Sequence, residues 1–176
     1  SLKERIETIR EEAETSVREG STCLILSDKN ITNQRACIPS ILTVGAVHSH
    51  LVKLGLRGYC SLNVECSDAL DTHSFAILIG VGATTVNPYL TIDSIYQRYE
   101  KKLFGKADFE SCVSKFKKSI DAGLLKIMSK MGISVISSYR GGCNFEAVGL
   151  SRAIVSDYFP GMSSRISGIG VIGIEK

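Results

Sequence analysis

The alternation of short apolar runs with longer stretches of helical periodicity constrains the fold of this 176-residue chain more than any other feature. Residues 2–19 place apolar side chains at helical spacing among charged ones, which predicts an amphipathic helix. Residues 22–26 are an apolar run that ends at the polar pair Ser27 and Asp28, a pattern typical of a buried parallel strand. Strands that alternate with helices imply βαβ units and a parallel sheet.

The remaining patterns continue this alternation along the chain. We count about four strands, roughly half of what a (βα)8 barrel contains, and the first helix has no strand before it. We therefore expect an α/β fold of parallel-sheet βα units, a partial TIM-barrel-like structure of about half a barrel. A flavodoxin-like sheet of about five strands is the competing architecture. The predicted elements are helices at residues 39–54, 92–103, 109–131, 145–150 and 151–158, strands at 59–65, 75–79 and 133–137, and an extended tail at 166–174.

Composition excludes several classes of protein. Hydrophobic residues make up 44% of the chain, enough for a substantial core, and the net charge is only +3. The densest basic cluster is Lys115, Lys117 and Lys118, which we interpret as a solvated helix face, so we expect no nucleic-acid partner. No apolar run approaches the roughly 20 residues of a membrane helix, so we expect no membrane partner. The six cysteines contain no CxxC pair, which favours free thiols in a reducing compartment.

Two carboxylates end predicted strands. Asp28 and Glu65 would face the site-forming end of a parallel barrel, where they could act as a general acid–base pair. The alternative is that they cap neighbouring helices or pair with Arg35, Arg57 or Arg140. We favour the alternative, because no metal ligand or base lies near them in the sequence.

A glycine-rich segment and three histidines are weaker signals. Residues 80–83 follow a predicted strand and could cradle a phosphate, but the third glycine of a dinucleotide fingerprint is missing, so a tight turn is the better interpretation. His48 and His50 are two apart on a predicted helix and point in different directions. With His73 they lack the spacing of a metal site, and we expect no metal.

Cys143 lies between a predicted strand and a predicted helix. A helix N-terminus lowers the pKa of a thiol, so Cys143 could be a nucleophile with Glu146 and a distant histidine as its partners. We favour the simpler interpretation of a thiol packed in a turn.

Beyond these patterns, ordered strings of residues resemble the large subunit of glutamate synthase. The strongest is GLLKIMSKMGIS at residues 123–134, followed by SYRG at 138–141 and FEAVGL at 145–150. The resemblance covers residues 11–170. The other matching strings are at residues 26–28, 38–40, 45–48, 50–51, 55–57, 79–80, 82–83, 87–90, 164–166 and 168–169.

The resemblance implies that residues 1–176 are a single fragment, the second half of the central domain, which has a barrel-like α/β fold. Its partners would be the glutamine amidotransferase domain and the FMN-binding domain on either side. In that family glutamine is hydrolysed at an N-terminal cysteine, ammonia travels through an internal tunnel, and reduced FMN delivers a hydride after ammonia reacts with 2-oxoglutarate. A 3Fe-4S cluster supplies electrons from ferredoxin or NAD(P)H. The resemblance places no catalytic, cofactor-binding or metal-binding residue in this fragment.

The role that the resemblance implies is structural and ammonia-channelling, in the cytoplasm or in a plastid of a photosynthetic eukaryote. Ammonia in transit needs small, uncharged walls, so the loops after the strands are the expected place, and Arg140 and Glu146 are expected to fix loop positions. Open sheet edges would favour self-association. The alternatives are a stand-alone hydrolase that uses Cys143 and a non-catalytic interaction scaffold. The tunnel or loop candidates are Ser27, Asp28, Glu65, Gly80, Gly82, Ser137, Arg140, Gly141 and Glu146.

Overall fold

A computed structural model describes residues 1–34 and 36–176 of the chain. Helices and parallel strands alternate through most of it, with one single 3-10 turn at Arg57–Tyr59 among the described residues. The strands are β1 Cys23–Ser27, β2 Ser61–Glu65, β3 Thr85–Asn87, β4 Glu146–Leu150 and β5 Ser163–Ile169. The helices are α1 Leu2–Arg18, α2 Ser40–Lys53, α3 Thr72–Gly80, α4 Tyr89–Glu100, α5 Phe109–Met131, α6 Ile136–Tyr139, α7 Arg152–Tyr158 and α8 Val171–Glu175.

The strands form two separate parallel sheets. The first has the order β1-β2-β3, with Leu26 opposite Val64 and Val64 opposite Val86. The second pairs β4 with β5 and contains two register shifts. The predicted α/β class with parallel strands is therefore confirmed, in the form of a three-stranded and a two-stranded sheet.

The hydrophobic core covers one face of the three-stranded sheet. Leu24 of β1 and Leu62 and Val64 of β2 are buried. Cys23 and Ile25, the neighbours of Leu24 on β1, are exposed. The buried strand residues pack in one cluster with apolar residues of α1, α2, α3 and α7. One face of a parallel sheet is thus packed against helices, whereas the other is open.

A buried arginine fixes three helices to one another. Arg10 of α1 is only 6% exposed, and its Nε donates to the Ala46 carbonyl oxygen of α2 at 3.2 Å. Its Nη atoms donate to Glu7 Oε1 at 2.8 Å and to Asp157 Oδ1 of α7 at 3.1 Å. The guanidinium also lies 5.0 Å from the centroid of the Tyr158 ring. Every contact satisfies a charge that would otherwise be costly to bury.

The helix predicted at residues 109–131 is confirmed with its ends. Asp108 Oδ1 accepts a hydrogen bond from the Ser111 backbone N–H at 2.6 Å, and Gly132 ends α5 in the left-handed conformation with φ 71°. The predicted helices near α1, α2, α4 and α7 are also confirmed. Side chains of Ser1 and Ser151 cap α1 and α7, whereas α2 and α4 begin after Pro39 and Pro88, prolines that favour a helix start.

The predicted strand at residues 75–79 is wrong. These residues lie in α3, which Asp71 caps by accepting from the Ser74 N–H at 2.9 Å, and the strand comes later, at β3. Phe75, Ala76 and Leu78 are all buried, so the helix has no polar face here to show its periodicity. A short continuous apolar run does not distinguish a buried strand from a buried helix.

Three predictions in the C-terminal quarter also need correction. The strand predicted at residues 133–137 is absent, since α6 occupies part of it, and the helix predicted at 145–150 is β4. The tail is extended only as far as Ile169, where β5 ends and α8 follows. Gly149 in β4 has φ 76°, a conformation that breaks a helix but fits the irregular pairing of β4 with β5.

None of the helices in the described ranges has a stretch long and apolar enough to cross a bilayer.

Candidate functional site

The carboxyl ends of β1, β2 and β3 carry a hydrogen-bonded group around Glu65. Its carboxylate accepts from Ser27 Oγ at 2.8 Å, from Lys29 Nζ at 2.7 Å and from Asn87 Nδ2 at 3.2 Å. These contacts, led by the Lys29 hydrogen bond, lower the pKa of the Glu65 carboxyl group. Glu65 is therefore an ionised, paired group and is not poised to act as a general acid.

Asp28 lies beside this group and has a different set of partners. Its Oδ2 accepts from the backbone N–H of Ser67 at 2.8 Å and from Ser67 Oγ at 2.7 Å. Arg57 and Arg140 bind elsewhere, so neither pairs with Asp28 or Glu65. The third arginine considered from the sequence, Arg35, lies outside the described residues. A cavity of about 590 Å³ opens beside Asp28, between α1, α2 and the loop after β1.

The centre of the open face of the three-stranded sheet carries polar side chains that satisfy one another, beside the exposed apolar side chain of Ile25 on β1. Asn63 Nδ2 donates to Ser61 Oγ at 3.2 Å and to the Leu24 carbonyl oxygen at 3.3 Å, and it lies 3.0 Å from Cys23 Sγ. Asn63 Oδ1 accepts from Thr85 Oγ1 at 2.6 Å. The centre of the face thus presents uncharged polar side chains whose hydrogen bonds are already made.

A second group of polar residues lies at the amino ends of the strands. Arg57 Nε donates to His48 Nδ1 at 3.1 Å, and its Nη atoms donate to the carbonyl oxygens of Cys60 at 2.6 Å and Gly82 at 2.8 Å. Burial, Arg57 and Arg140 together lower the pKa of His48 to about 4. His48 is consequently neutral near pH 7.

The glycine-rich segment belongs to this second group. Gly82 has φ 133°, and a Cβ atom added there would collide with the His48 ring. Arg140 Nε donates to the Ala83 carbonyl oxygen at 2.9 Å, and the Gly141 N–H donates to the Gly80 carbonyl oxygen at 2.8 Å. These bonds join the segment after α3 to the segment after α6. Residues 80–83 lead into β3, so they do not form the phosphate cradle at a helix N-terminus that was considered from the sequence.

The sequence candidates therefore lie at opposite edges of the sheet. The prediction that residues 80–83 follow a strand is wrong, because they follow α3 and precede β3. Ser27, Asp28 and Glu65 mark the carboxyl edge, whereas Gly80, Gly82, Arg140 and Gly141 mark the amino edge. Five-residue strands at about 3.3 Å per residue separate the two edges by roughly 13 Å.

The two remaining candidates lie away from both edges. Ser137 is an exposed residue of α6. Glu146 is the first residue of β4, and its Oε1 lies 3.4 Å from Nε of Arg165 on the solvent-exposed side of the pair.

Cys143 has an unusual backbone but, in the part of the chain that the structure describes, no activating partner within hydrogen-bond distance. It is an exposed residue with φ 52°, and its Sγ lies 3.9 Å from the Gly141 carbonyl oxygen and 3.7 Å from that of Pro160. The segment that follows it is β4, so the helix N-terminus expected to activate the thiol is absent. His48 lines the same cavity, but Arg57 donates to its Nδ1 and its pKa is low. This geometry does not support a cysteine nucleophile.

Sequence reasoning missed two residues that hold these arrangements together, His48 at the amino edge and Asn63 on the open face. His48 was considered only as a metal ligand, and Asn63 was not considered at all. The signal for Asn63 was present, because a strand buried on both faces should not place an amide at its centre. Arg57 could have been recognised only from its spatial neighbours, which are 9 and 25 residues away in the sequence.

Comparison with known proteins identifies the family. Residues 1–151 match the family model described as the glutamate synthase central domain. The chain is 57% identical over 176 residues to the glutamate synthase [NADPH] large chain of Azospirillum brasilense, which covers all of this chain and 12% of that protein.

The chain belongs to the glutamate synthase central domain family.

Other relatives agree with this assignment. The chain is 44% identical over 167 residues to the glutamate synthase [NADPH] large chain of Bacillus subtilis, with 94% of this chain and 11% of that protein covered. It is 41% identical over 180 residues to the chloroplastic ferredoxin-dependent glutamate synthase of Spinacia oleracea, with 96% and 11% covered. The chain thus spans about one eighth of the length of the Azospirillum brasilense protein and slightly less of the other two relatives.

Proposed function

We propose that this chain is a structural, ammonia-channelling segment of a glutamate synthase large chain and has no catalytic centre of its own. The complete enzyme would convert glutamine, 2-oxoglutarate and a reductant to two molecules of glutamate. The observation that supports the channelling role is the open sheet face, where Ser61, Asn63 and Thr85 form an uncharged layer with satisfied hydrogen bonds.

We propose that this open face is the inner wall of a partial barrel. Parallel sheets are almost always covered on both faces, and here helices cover only one. The missing cover would come from other parts of the large chain, among them the amidotransferase and FMN-binding domains. Strands added at the free edges of β1 and β3 would continue the sheet toward a barrel.

The chemistry of the face suits a small neutral molecule. Ammonia in transit must remain unprotonated, and an unpaired negative charge on the wall would favour ammonium instead. The carboxylate of Glu65 at the carboxyl edge is neutralised by Lys29, and His48 at the amino edge is neutral. The two groups of candidate residues would then mark the two ends of the conducting face.

We propose that residues 1–176 act as one unit, although the family model ends at residue 151. Ile154, Val155, Tyr158 and Phe159 share the core cluster that contains Ile6 of α1. Arg10 adds a polar link between the two ends, through Asp157. Residues beyond 151 are therefore needed to complete the core.

The parent enzyme's FMN and 3Fe-4S cluster would belong to its other parts. A 3Fe-4S cluster needs several converging thiolates. Within the described residues no three side chains among His, Cys, Asp and Glu converge, and Cys60 and Cys66 are buried. Burial, with Asp68 nearby, raises the pKa of the Cys66 thiol to about 12, which disfavours the thiolate that a cluster requires. The residues present do not fit the cluster.

We place the protein in a reducing compartment, the cytoplasm or a plastid stroma. The proposal is supported by six cysteines that are all free thiols.

The isolated chain provides a test of the non-catalytic assignment. Purified protein is expected to show no flavin absorbance after incubation with FMN and gel filtration, and no glutamate from glutamine, 2-oxoglutarate and a reductant. A retained flavin spectrum, or glutamate formation that survives a Cys143→Ser change, would overturn the assignment. Glutamine hydrolysis that Cys143→Ser abolishes, together with iodoacetamide labelling of Cys143 at neutral pH, would instead identify a cysteine hydrolase.

A further inference from the structure

A second cavity of the molecule lies beside His48, among helices on the packed side of the three-stranded sheet and away from its open face. It has a volume of about 160 Å³ and lies between α2, the end of α3, the loop after α6 and the turn after α7. Its walls are mainly apolar and aromatic. They include Val81, Phe145, Tyr158, Phe159 and Met162.

One polar group with a fixed direction faces this cavity. Because Arg57 Nε donates to His48 Nδ1, the ring proton of neutral His48 is on Nε2. An ideal Cβ atom on Gly141, a lining residue, would lie 3.5 Å from Nε2, which places this N–H group at the cavity wall. Among the described residues Nε2 has no hydrogen-bond partner. The carbonyl oxygens of Cys60 and Gly82 accept from Arg57 and hold its guanidinium in place. The His48 ring that this guanidinium contacts therefore keeps its orientation, with the Nε2–H group directed at the cavity.

The cavity selects against charge. The charged groups facing His48 are Arg57 and Arg140, both cations, and with burial they keep the imidazole neutral. None of the lining residues is Asp, Glu, Lys or Arg, so an ion would lose its hydration here without gaining a direct ion-pair partner. A neutral molecule is the remaining choice.

We propose that this cavity binds a small neutral molecule with one apolar ring and one hydrogen-bond acceptor, which receives the His48 Nε2–H group. The volume matches this occupant, because an apolar cavity of roughly 150 Å³ holds one benzene molecule. The partly buried His48 donor also gives specificity, since a ligand without an acceptor leaves it unpaired.

Acetophenone and toluene are a matched pair of probes, because both carry a phenyl ring and only acetophenone has a carbonyl acceptor. We expect acetophenone to shift the Met162 methyl resonance saturably in a titration of the 176-residue chain. We expect toluene to bind at least about fivefold more weakly, the effect of one net hydrogen bond. Equal affinities, or shifts that do not saturate, would overturn the proposal.

Two surface variants locate the binding. Val52 is 53% exposed and lines the cavity, so Val52→Trp should block it without disturbing the core. Val135 is 52% exposed and does not line it, which makes Val135→Trp a matched control. Acetophenone binding should be lost in the first variant and kept in the second, and any other pattern would contradict the assigned site. His48→Phe should remove the difference between the probes, and if it does not fold, the probe pair in the unmodified chain still decides.

Discussion

Two basic side chains show how single residues shape this molecule. Arg10 is buried with its charge, because its donors have partners on α1 itself, on α2 and on α7. His48 is partly buried without its charge, because burial and two arginines disfavour its protonated form. Each leads to a prediction about stability.

Arg10→Met should destabilise the fold by about 2 kcal/mol, because the Ala46 carbonyl oxygen and the Asp157 carboxylate lose their donor. The loss is smaller than for a fully buried pair, since the side chains of Glu7 and Asp157 are 45% and 41% exposed. Urea unfolding measures it. Arg5→Met is the matched control, because Arg5 pairs with Glu12 at the surface of the same helix, and it should change stability by less than about 0.5 kcal/mol. Equal effects of the two changes would contradict this account of Arg10.

Stability should fall as the pH is lowered because of His48. Its pKa is about 4 in the folded protein and 6.5 in the unfolded chain, so unfolding takes up a proton between these two values. From about pH 7.5 to about pH 5 the chain should lose roughly 1–2 kcal/mol of unfolding free energy through this group.

Urea titrations at the two pH values test this, with His48→Gln as the variant that lacks the group. The variant should show a smaller loss on acidification than the unmodified chain. His73→Gln, which removes an exposed histidine, should keep the full loss. Identical pH dependence in the chain and His48→Gln would refute the assignment.

Among the helices and strands, an element could be predicted with its ends where the sequence itself carries the signals that start and stop it. The helix at 109–131 has an N-cap aspartate, a C-cap glycine and clear periodicity, and both of its ends were predicted. The segments at 75–79 and 145–150 were misassigned because burial removes the polar face of α3, while β4 depends on pairing with β5 farther along the chain. Candidate residues were found where they end strands, such as Glu65. The His48–Arg57 pair was missed because only the folded chain brings it together.

The edge strand β1 should make the isolated chain self-associate. Within residues 1–34 and 36–176 it is paired only with β2, and Ile25 on it is 66% exposed. Unpaired strand edges are templates for pairing with another chain, so light scattering should show a dimer or larger species. Ile25→Lys should shift the population toward monomer, because a lysine on an edge strand opposes pairing.

A matched control separates the edge from general surface hydrophobicity. Leu125 on α5 is 65% exposed, and Leu125→Lys introduces the same charge away from any strand. This variant should associate like the unmodified chain. A monodisperse monomer for the unmodified chain would contradict the prediction.

For the whole molecule, the two faces of the three-stranded sheet differ. The helical face is packed around a core that joins residues near both ends of the chain, whereas the other face is open, with a polar centre beside the exposed Ile25. In the proposed function the helices supply stability, and the open face would contact the small molecule. A mutation on the open face should therefore affect transfer more than folding.

The most direct test is the coupling of glutamine hydrolysis to glutamate formation in a complete large chain that carries this segment. Asn63→Leu replaces the central amide of the face with an apolar side chain of similar size, and Asn33→Leu is the control at an exposed loop position. We expect Asn63→Leu to keep hydrolysing glutamine but to release ammonia into the medium, while Asn33→Leu releases none. Full coupling in Asn63→Leu, or a parallel fall of hydrolysis and synthesis without free ammonia, would contradict the channelling role.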